Sequence, residues 1–581
     1  MRDYSTLDLE TDPFKKGRIP RAFAACFFDG KISTLWWHID CCKMLIELII
    51  KEGLKRDGEL LVYAHNGGKF DFHYVLEFIL MFFQYDELEI LCIGSRIVSI
   101  KTPAFELRDS FSIIPKPLKS FGNKIDIKIE KLEADVRETH KEEICKYLKQ
   151  DCVGLYNALG EFFERYGCEI TLASTTFQVL KKQFGVKPIK TNLDYDDKFR
   201  PYYFAGRVQF FEGSLGCNGK QDGVKRYNIC DINSAFPKAM MSEHWFGGGY
   251  DVMDSAPEVN KEQSFYNIVC DSKGCLPKRS KHGGVEFPVC EQTEFFATGW
   301  ELFAGLELGL ISNLKIKSVY VPRECQNFQG YVNYFYEMKK NAENPADRDF
   351  AKLFLNSCYG KFALNPREFR EVCITKYGDK PDLKIHKVKG KTIAKVEWEW
   401  SYDDLQRGIT FWQTPSTYLD EYGKPHPQGK PMTFYNVCTA ASITGCVRAF
   451  LQRSISSCSG VLYCDTDSII AADTSSLKLS DELGDWKLEK ECDAVYIGGK
   501  KLYCSHDYRG KPELDEKGKP KWKEWKTASK GVRLTVEDLI AVCNGEEREY
   551  AFDAPNYSVF SKPSFTKRRV NRDDKRKKRA A

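Results

Sequence analysis

Hydrophobic and polar positions divide the chain into stretches of different period. Over residues 1–175, short apolar runs such as LLVYAH at 60–65 and LEILCI at 88–93 alternate with longer helical spacings, YVLEFILMFF at 74–83 and EEICKYLKQDCVGLY at 142–156. Short apolar runs bounded by turn residues predict strands, and three-to-four spacing over a longer stretch predicts helices, so this part reads as a sheet flanked by helices. The middle is less regular. SKGCLPKRSKHGG at 272–284 and LNPREFREVCITKYGDKPDLK at 364–384 are rich in Gly, Pro and charge and read as inserted subdomains or loops. A polar stretch, TPSTYLDEYGKPHPQGKP at 414–431, precedes the strongly helical YNVCTAASITGCVRAFLQRSI at 435–455. No internal repeat is visible, and the pattern predicts a multidomain chain that mixes α/β and α+β architecture.

Composition narrows the class. With 581 residues, 42% hydrophobic and 29% charged, the chain has a core for about three to five units. That excludes a disordered tail, a coiled coil or a small disulfide scaffold. The net charge of +5 comes from KRRVNRDDKRKKR at 567–579, whose nine basic and two acidic residues give +7 and leave −2 for the rest. A polyanion groove must therefore arise from how charge is arranged, and the tail reads as a solvated, phosphate-seeking segment. The 22 cysteines are scattered without a Cys-x-x-Cys pair, a reduced, intracellular pattern. Cys270, Cys275 and Cys290 read as buried thiols in preference to a zinc site. The opening MRDYSTLDLE has no apolar core of a signal peptide and no apolar run reaches membrane length, so the expected location is intracellular, in the cytoplasm.

Two groups of carboxylates carry the chemistry. In STLDLETDPF at 5–14, a strand buries Leu7 and Leu9 and turns Asp8 and Glu10 to the other side. HNGGKFDFHYVL at 65–76 sets Asp71 after a glycine turn and at the start of an apolar helix. Tyr147 and Asp151 lie four apart on one helical face. Each piece alone has a bland reading as a solvated strand, a helix cap or surface. Asp8, Glu10, Asp71 and Asp151 with Tyr147 together form the pattern of two-metal phosphodiester hydrolysis, the tyrosine orienting the attacking water.

The second group centres on GVLYCDTDSIIAA at 460–472, two apolar strands joined by a tight turn with Asp465 and Asp467 at its tip. Upstream, RYNICDINSAFPKAM at 226–240 ends a strand at Asp231 and turns into a short helix. Between them, Pro345 suits a helix start and Gly360 a helix end. Arg348, Lys352, Asn356 and Tyr359 then line one helical face, two cations, an amide and a ring in the order a nucleoside triphosphate requires. Lys340, on the helical stretch before, adds a candidate phosphate contact.

In this order these residues resemble the family B DNA polymerases, specifically the protein-primed branch of small phages, adenoviruses and linear plasmids. Asp8 with Glu10, Asn66 with Phe70 and Asp71, and Tyr147 with Asp151 are similar to the family's three 3′-to-5′ exonuclease motifs. His65 and Ser110 stand where the family contacts single-stranded DNA. DINSAFP at 231–237, KLFLNSCYG at 352–360 and YCDTDS at 463–468 resemble the three polymerase motifs. YFAG at 203–206 resembles the linker motif, with Tyr203 and Gly206 on the template, and KLY at 501–503 the primer grip of Lys501 and Tyr503. The pieces GCLPKR, EFPVC and TGWEL resemble a region that docks a terminal protein.

The resemblance implies a ribonuclease H-like exonuclease domain (1–175) followed by a right-hand polymerase with two insertions. Palm would fall at 176–242 and 435–535, a terminal-protein-binding insertion at 243–334, fingers at 335–365, a processivity and strand-displacement insertion at 366–434, and thumb with tail at 536–581. It implies two Mg²⁺ ions at each centre, with Mn²⁺ as substitute. In the polymerase these are held by Asp231, Asp465, Asp467 and the carbonyl of Ile232, and in the exonuclease by Asp8, Glu10, Asp71 and Asp151. Lys340, Arg348, Lys352 and Asn356 would bind the nucleotide, and Phe236 with Tyr359 would exclude ribose. The implied partners are primer-template and single-stranded DNA, dNTPs and a terminal protein, for a monomer that replicates a viral or linear-plasmid genome. Phe236 stands where tyrosine is usual, Phe111 where leucine is usual, and three residues separate Asn66 from Phe70 in place of two. The rival readings are a nuclease with an inactive, DNA-binding polymerase half, a DNA-primed polymerase without a terminal protein, a reverse transcriptase, and a non-enzymatic replication protein.

Overall fold

The computed structural model describes residues 3–572, apart from 16, 119–126, 188, 190, 220–225, 256–259, 282, 369, 389–390, 421, 428–435, 508–512, 515–519, 522–524 and 530. The end of the basic tail, 573–581, and the close of the expected second insertion, 428–434, lie outside the described residues.

The first unit is built on a sheet in which an interior strand, β1 (Tyr4–Thr11), runs parallel to Leu60–Ala64 and antiparallel to β2 (Ala22–Phe28). Leu60–Ala64 is wholly buried and pairs in parallel with the equally buried Phe105–Asp109, as strands covered on both faces must be. Helix α1 (Asp71–Phe82) buries Phe72, Val75, Leu76, Ile79 and Leu80. Helix α2 (Lys141–Tyr166) turns Ile144, Leu148, Asp151, Leu155, Leu159 and Phe162 inward at helical spacing, so a carboxylate occupies a core-facing position.

Three strands of the expected second insertion, Val372–Lys376, Glu399–Asp404 and Ile409–Gln413, continue this same sheet, which reaches ten strands. The junction is short, Val372 opposite Ile90. Val372, Ile374, Tyr402, Ile409 and Phe411 then share a core with Leu7, Leu76 and Leu107, so the segment is packed as part of the first unit.

The second unit is an eight-stranded sheet assembled from distant pieces. Strands β3 (Val208–Phe210) and β4 (Tyr227–Ile232) come from one side of the long middle region. Strands β5 (Ser459–Asp465), β6 (Ser468–Asp473), β7 (Trp486–Gly499) and β8 (Leu502–Asp507) come from the other. β6 lies between β5 and β4, which brings Asp231 and Asp465 each opposite Ser468.

A four-stranded antiparallel sheet of His244–Met253, Ile311–Gln326, Phe265–Lys273 and Val289–Thr298 forms the first insertion, with the helix Gly299–Glu307 packed on it. A helical hairpin follows, α3 (Gln329–Lys340) and α4 (Pro345–Phe362). The expected boundary at 334/335 therefore falls within α3, and that at 175/176 within the helix Leu172–Phe184. Asn344 caps α4 by accepting the Asp347 N–H, Pro345 takes the first position, and the helix runs two residues past Gly360.

Helix α5 (Val437–Ser457) is buried along most of its length beneath the eight-stranded sheet and the first insertion. The far end of α2 meets α4: Arg165 pairs with Asp347, and the rings of Tyr166 and Phe354 lie 4.4 Å apart. The C-terminal helix Val536–Cys543 packs against β8. Beyond it, Tyr557 returns to the first unit with its hydroxyl 2.8 Å from that of Tyr74. Among the described residues no helix is long and apolar enough to cross a membrane.

Candidate active sites

β1 alternates as its residues require: Leu7 and Leu9 are buried, and Asp8 and Glu10 open to the other side. Asp71 joins them through a glycine turn that has no room for side chains, since a Cβ on Gly68 would lie 1.7 Å from the Ile97 carbonyl oxygen. Asn66 adopts the left-handed backbone at the same turn. Asp71 is 2% exposed, and its Oδ1 is buried with no hydrogen-bond partner.

Burial, and then the charges of Asp71, Asp151 and Glu10, push the Asp8 carboxyl well above the usual carboxylate range. Burial, Asp151 and Asp71 raise Glu10 to about 8, and burial with Asp109 raises Asp71 to about 7. Tyr147 hydrogen-bonds Asp151 and is likewise raised, by burial and then by that carboxylate. Four acids are thus held close enough to resist ionising together. No three His, Cys, Asp or Glu side chains among the described residues are already drawn into a metal-holding group, Cys270, Cys275 and Cys290 included. The unpartnered Asp71 oxygen and the mutual repulsion of the acids are what divalent cations would relieve, so the donor set fits them.

The expected DNA contacts beside this centre divide. Phe70 is half-buried against Phe14, Tyr74 and Tyr557. His65 donates from Nε2 to the Lys116 carbonyl oxygen at 2.7 Å, and its Nδ1 lies 3.0 Å from Ser110 Oγ. Burial lowers this ring to about 4, so it is neutral. Ser110 is fully buried, and its hydroxyl lies between His65 Nδ1 and the Ala64 carbonyl oxygen, 3.1 Å from the latter, which makes it a support for His65.

In the second sheet, the Ile232 N–H donates to the Asp467 carbonyl oxygen at 2.7 Å, locking β4 to the turn between β5 and β6. Thr466 at the tip has φ +61°, and its N–H donates to the Arg207 carbonyl oxygen at 2.6 Å. Gly206 permits that approach, because a Cβ there would meet Thr466 at 2.6 Å. Asp231 and Asp467 open into a cavity of about 830 Å³ that Ile232 also lines. Burial, Asp467 and Glu489 raise Asp231 to about 7, and burial with Asp465 raises Asp467. The opposite wall carries Arg348, Lys352 and Asn356 of α4 and Lys339 of α3. On α4, Phe350, Phe354, Leu355 and Cys358 face the core, which leaves the cations and the amide exposed to the cavity. Phe236 and Tyr359 stack at 4.1 Å and 6°.

Three residues are placed differently from the expectation. Asp465 is absent from the cavity wall, and one of its oxygens receives Lys501 Nζ at 2.8 Å and Thr466 Oγ1 at 3.1 Å. Lys501 sits in a left-handed turn before β8, φ +57°, so it and Tyr503 are not alternate residues of one strand, and Tyr503 is buried against Tyr463. Lys340 points away to Glu482 at 3.9 Å, and its neighbour Lys339 takes the cavity position. Burial, then Lys352 and Arg348, lower the Lys339 ammonium. The buried stripe Tyr331–Phe335 is the signal that places residue 339 on the inner side. Glu489 and Lys487, both on the cavity wall, belong to no motif. Tyr203 is half-buried, with its carbonyl oxygen accepting from Arg279 at 2.9 Å.

The chain thus places a cluster of four acids on one sheet and an acid pair facing cations across a cavity on another. Residues 128–420 match the family model of DNA polymerase type B, organellar and viral. The DNA-directed DNA polymerase of Enterobacteria phage PRD1 is 31% identical over 97% of this chain and 97% of its own. A probable DNA polymerase of Agaricus bitorquis is 25% identical over 86% of this chain and 69% of its own. The structure of phi29 DNA polymerase complexed with primer-template DNA and incoming nucleotide substrates matches 99% of this chain and 100% of its own, at TM-score 0.70 and 18% identity. The chain belongs to the type B DNA polymerases of the organellar and viral, protein-primed kind.

Proposed function

We propose that the protein replicates DNA by adding dNTPs at the Asp231–Asp467 centre and proofreads 3′ ends at the Asp8, Glu10, Asp71 and Asp151 centre. The observation that carries this is the separation of the acids into two groups on two sheets, of which one opens into a cavity walled by cations. In this reading the first unit is a ribonuclease H-like exonuclease domain, the eight-stranded sheet the palm, the α3–α4 hairpin the fingers and the C-terminal segment the thumb.

Asp231 and Asp467 would hold two Mg²⁺ ions, with Glu489 within electrostatic reach. When bound, such ions lower the pKa of the attacking hydroxyl or water and neutralise charge on the phosphates. Arg348, Lys352 and Lys339 clamp the triphosphate, and Asn356 supports the nucleotide above them. The stacked Phe236–Tyr359 pair forms a rigid wall against a 2′-hydroxyl. Lys501 fixes Asp465 and so stiffens the turn that aims Asp467. In the other centre Tyr147, bonded to Asp151, orients the attacking water. Primer-template and single-stranded DNA, as carried by solved phi29 polymerase complexes, are the partners in this reading, with a terminal protein on the first insertion as primer.

The test is a 5′-labelled primer on a template with Mg²⁺, with and without dNTPs. Asp467→Ala is expected to abolish extension and keep degradation, and Asp8→Ala to do the reverse. Extension that survives Asp467→Ala overturns the assignment. A protein-linked labelled nucleotide, formed with a purified terminal protein, tests the priming mode.

A further inference from the structure

The three pieces of the first insertion that resemble a docking region turn inward. Gly274 of GCLPKR, Phe287 of EFPVC and Glu301 of TGWEL reach two buried arginines beside the linker 203–206, the first two Arg207 and the third Arg448. Arg207 is 2% exposed. Its guanidinium donates to the Gly274 carbonyl oxygen at 2.9 Å, to Gln209 Oε1 at 3.0 and 2.7 Å, and to Gln452 Oε1 on α5, and it lies 4.2 Å from the Phe287 ring centre.

Arg448, one turn earlier on α5, donates to the carbonyl oxygens of Phe204 and Ala205 and to Glu301 Oε1 at 2.8 Å. Both partners of that ion pair have side chains 2% exposed, and Glu301 also accepts the Thr298 hydroxyl at 2.8 Å. The salt bridges found among the described residues include none to Arg207, whose charge is held by neutral oxygens and an aromatic face. A cation buried this way is stable only while that whole set of partners is kept in place.

The other end of the linker is the catalytic turn. The Arg207 carbonyl oxygen takes the Thr466 N–H, Gly206 packs against the Thr466 side chain, and Val208 pairs with Asp465. We propose that Arg207 is a positioning residue of nucleotide addition: through it the first insertion holds the linker, and the linker sets the turn that aims Asp467 at Asp231. The insertion then serves every addition step, whatever primes the chain. This rests on Asp231–Asp467 being the synthetic centre.

The experiment uses full-length wild type, Arg207→Lys and Phe287→Leu on a DNA primer, with no priming protein present. Lysine keeps the charge but loses the fork that reaches three partners. The expected result is a kcat lower by about ten- to a hundredfold, the effect of a small misplacement of reacting groups. The KM for dNTP should stay within about twofold, because Arg348 and Lys352 stand on a separate element. The Mg²⁺ concentration for half-maximal extension should rise, and single-strand degradation by the same preparation should be unchanged. Unaltered extension and Mg²⁺ dependence in both variants overturn the proposal, as does a parallel fall of extension and degradation, which marks general destabilisation. Wild type that degrades but does not extend overturns the underlying assignment instead.

Discussion

Replacing Asp71 by asparagine should make the metal-free protein more stable while removing its nuclease activity. Asparagine keeps the size of the side chain, removes its charge and places an amide where a buried oxygen now lacks a partner. Holding this carboxyl at about 7 in place of 3.8 costs at most about 4 kcal/mol at pH 8. Asp8 and Glu10 line a cleft that water reaches, so a gain of about 1 to 2 kcal/mol is expected after screening. Below pH 3.8 the carboxyl is protonated folded or unfolded, and the substitution should be neutral there. The advantage opens as pH rises from 3.8 towards 7 and is complete above it.

At about 2 to 4 °C per kcal/mol for a unit of this size, the first melting transition should rise by roughly 2 to 8 °C in EDTA at pH 8. Mg²⁺ should stabilise wild type more than the variant, narrowing or reversing the difference. Calorimetry with and without Mg²⁺, beside a degradation assay, reads both effects. A variant that melts below wild type in EDTA at pH 8 refutes the idea that the buried Asp71 charge costs stability.

Lys339→Ala should raise the KM for dNTP about tenfold, whereas Lys340→Ala should leave it near wild type; steady-state extension of one template separates them. At limiting Mg²⁺, extension should quicken as pH rises through about 7, because protons compete with the ion for Asp231, and saturating Mg²⁺ should flatten the profile. Phe236→Ala should weaken discrimination against ribonucleotides by about tenfold or more, measured as the ratio of kcat/KM for dNTP and rNTP, since it removes one ring of the stacked wall.

Much of both centres was legible because local pattern alone placed the acids. Leu7 and Leu9 bury, so Asp8 and Glu10 must open outward, and the apolar flanks of Asp465 and Asp467 require a strand–turn–strand. The α4 series was legible for the same reason, its cations standing opposite a buried stripe. What escaped depends on single residues of phase and on distant pairing. Lys339 and Lys340 differ by about 100° around one helix, and only the buried positions of α3 choose between them. Lys501 reaches Asp465 because its backbone is left-handed, a conformation that lysine does not announce. The strand Val372–Lys376 joins a sheet nearly 300 residues upstream through one short pairing, in a stretch whose Gly, Pro and charge read as a loop. The inward use of GCLPKR, EFPVC and TGWEL follows from Arg207 and Arg448, which lie outside every motif that was read.

The most direct test of two separate acid centres is anomalous diffraction from crystals of the wild-type protein soaked in Mn²⁺. The account predicts density between Asp231 and Asp467, and a second, distinct site among Asp8, Glu10, Asp71 and Asp151. Loss of the first site alone should follow Asp467→Ala. Manganese bound at neither place, or one site that disappears only with substitutions in the other group, would contradict it.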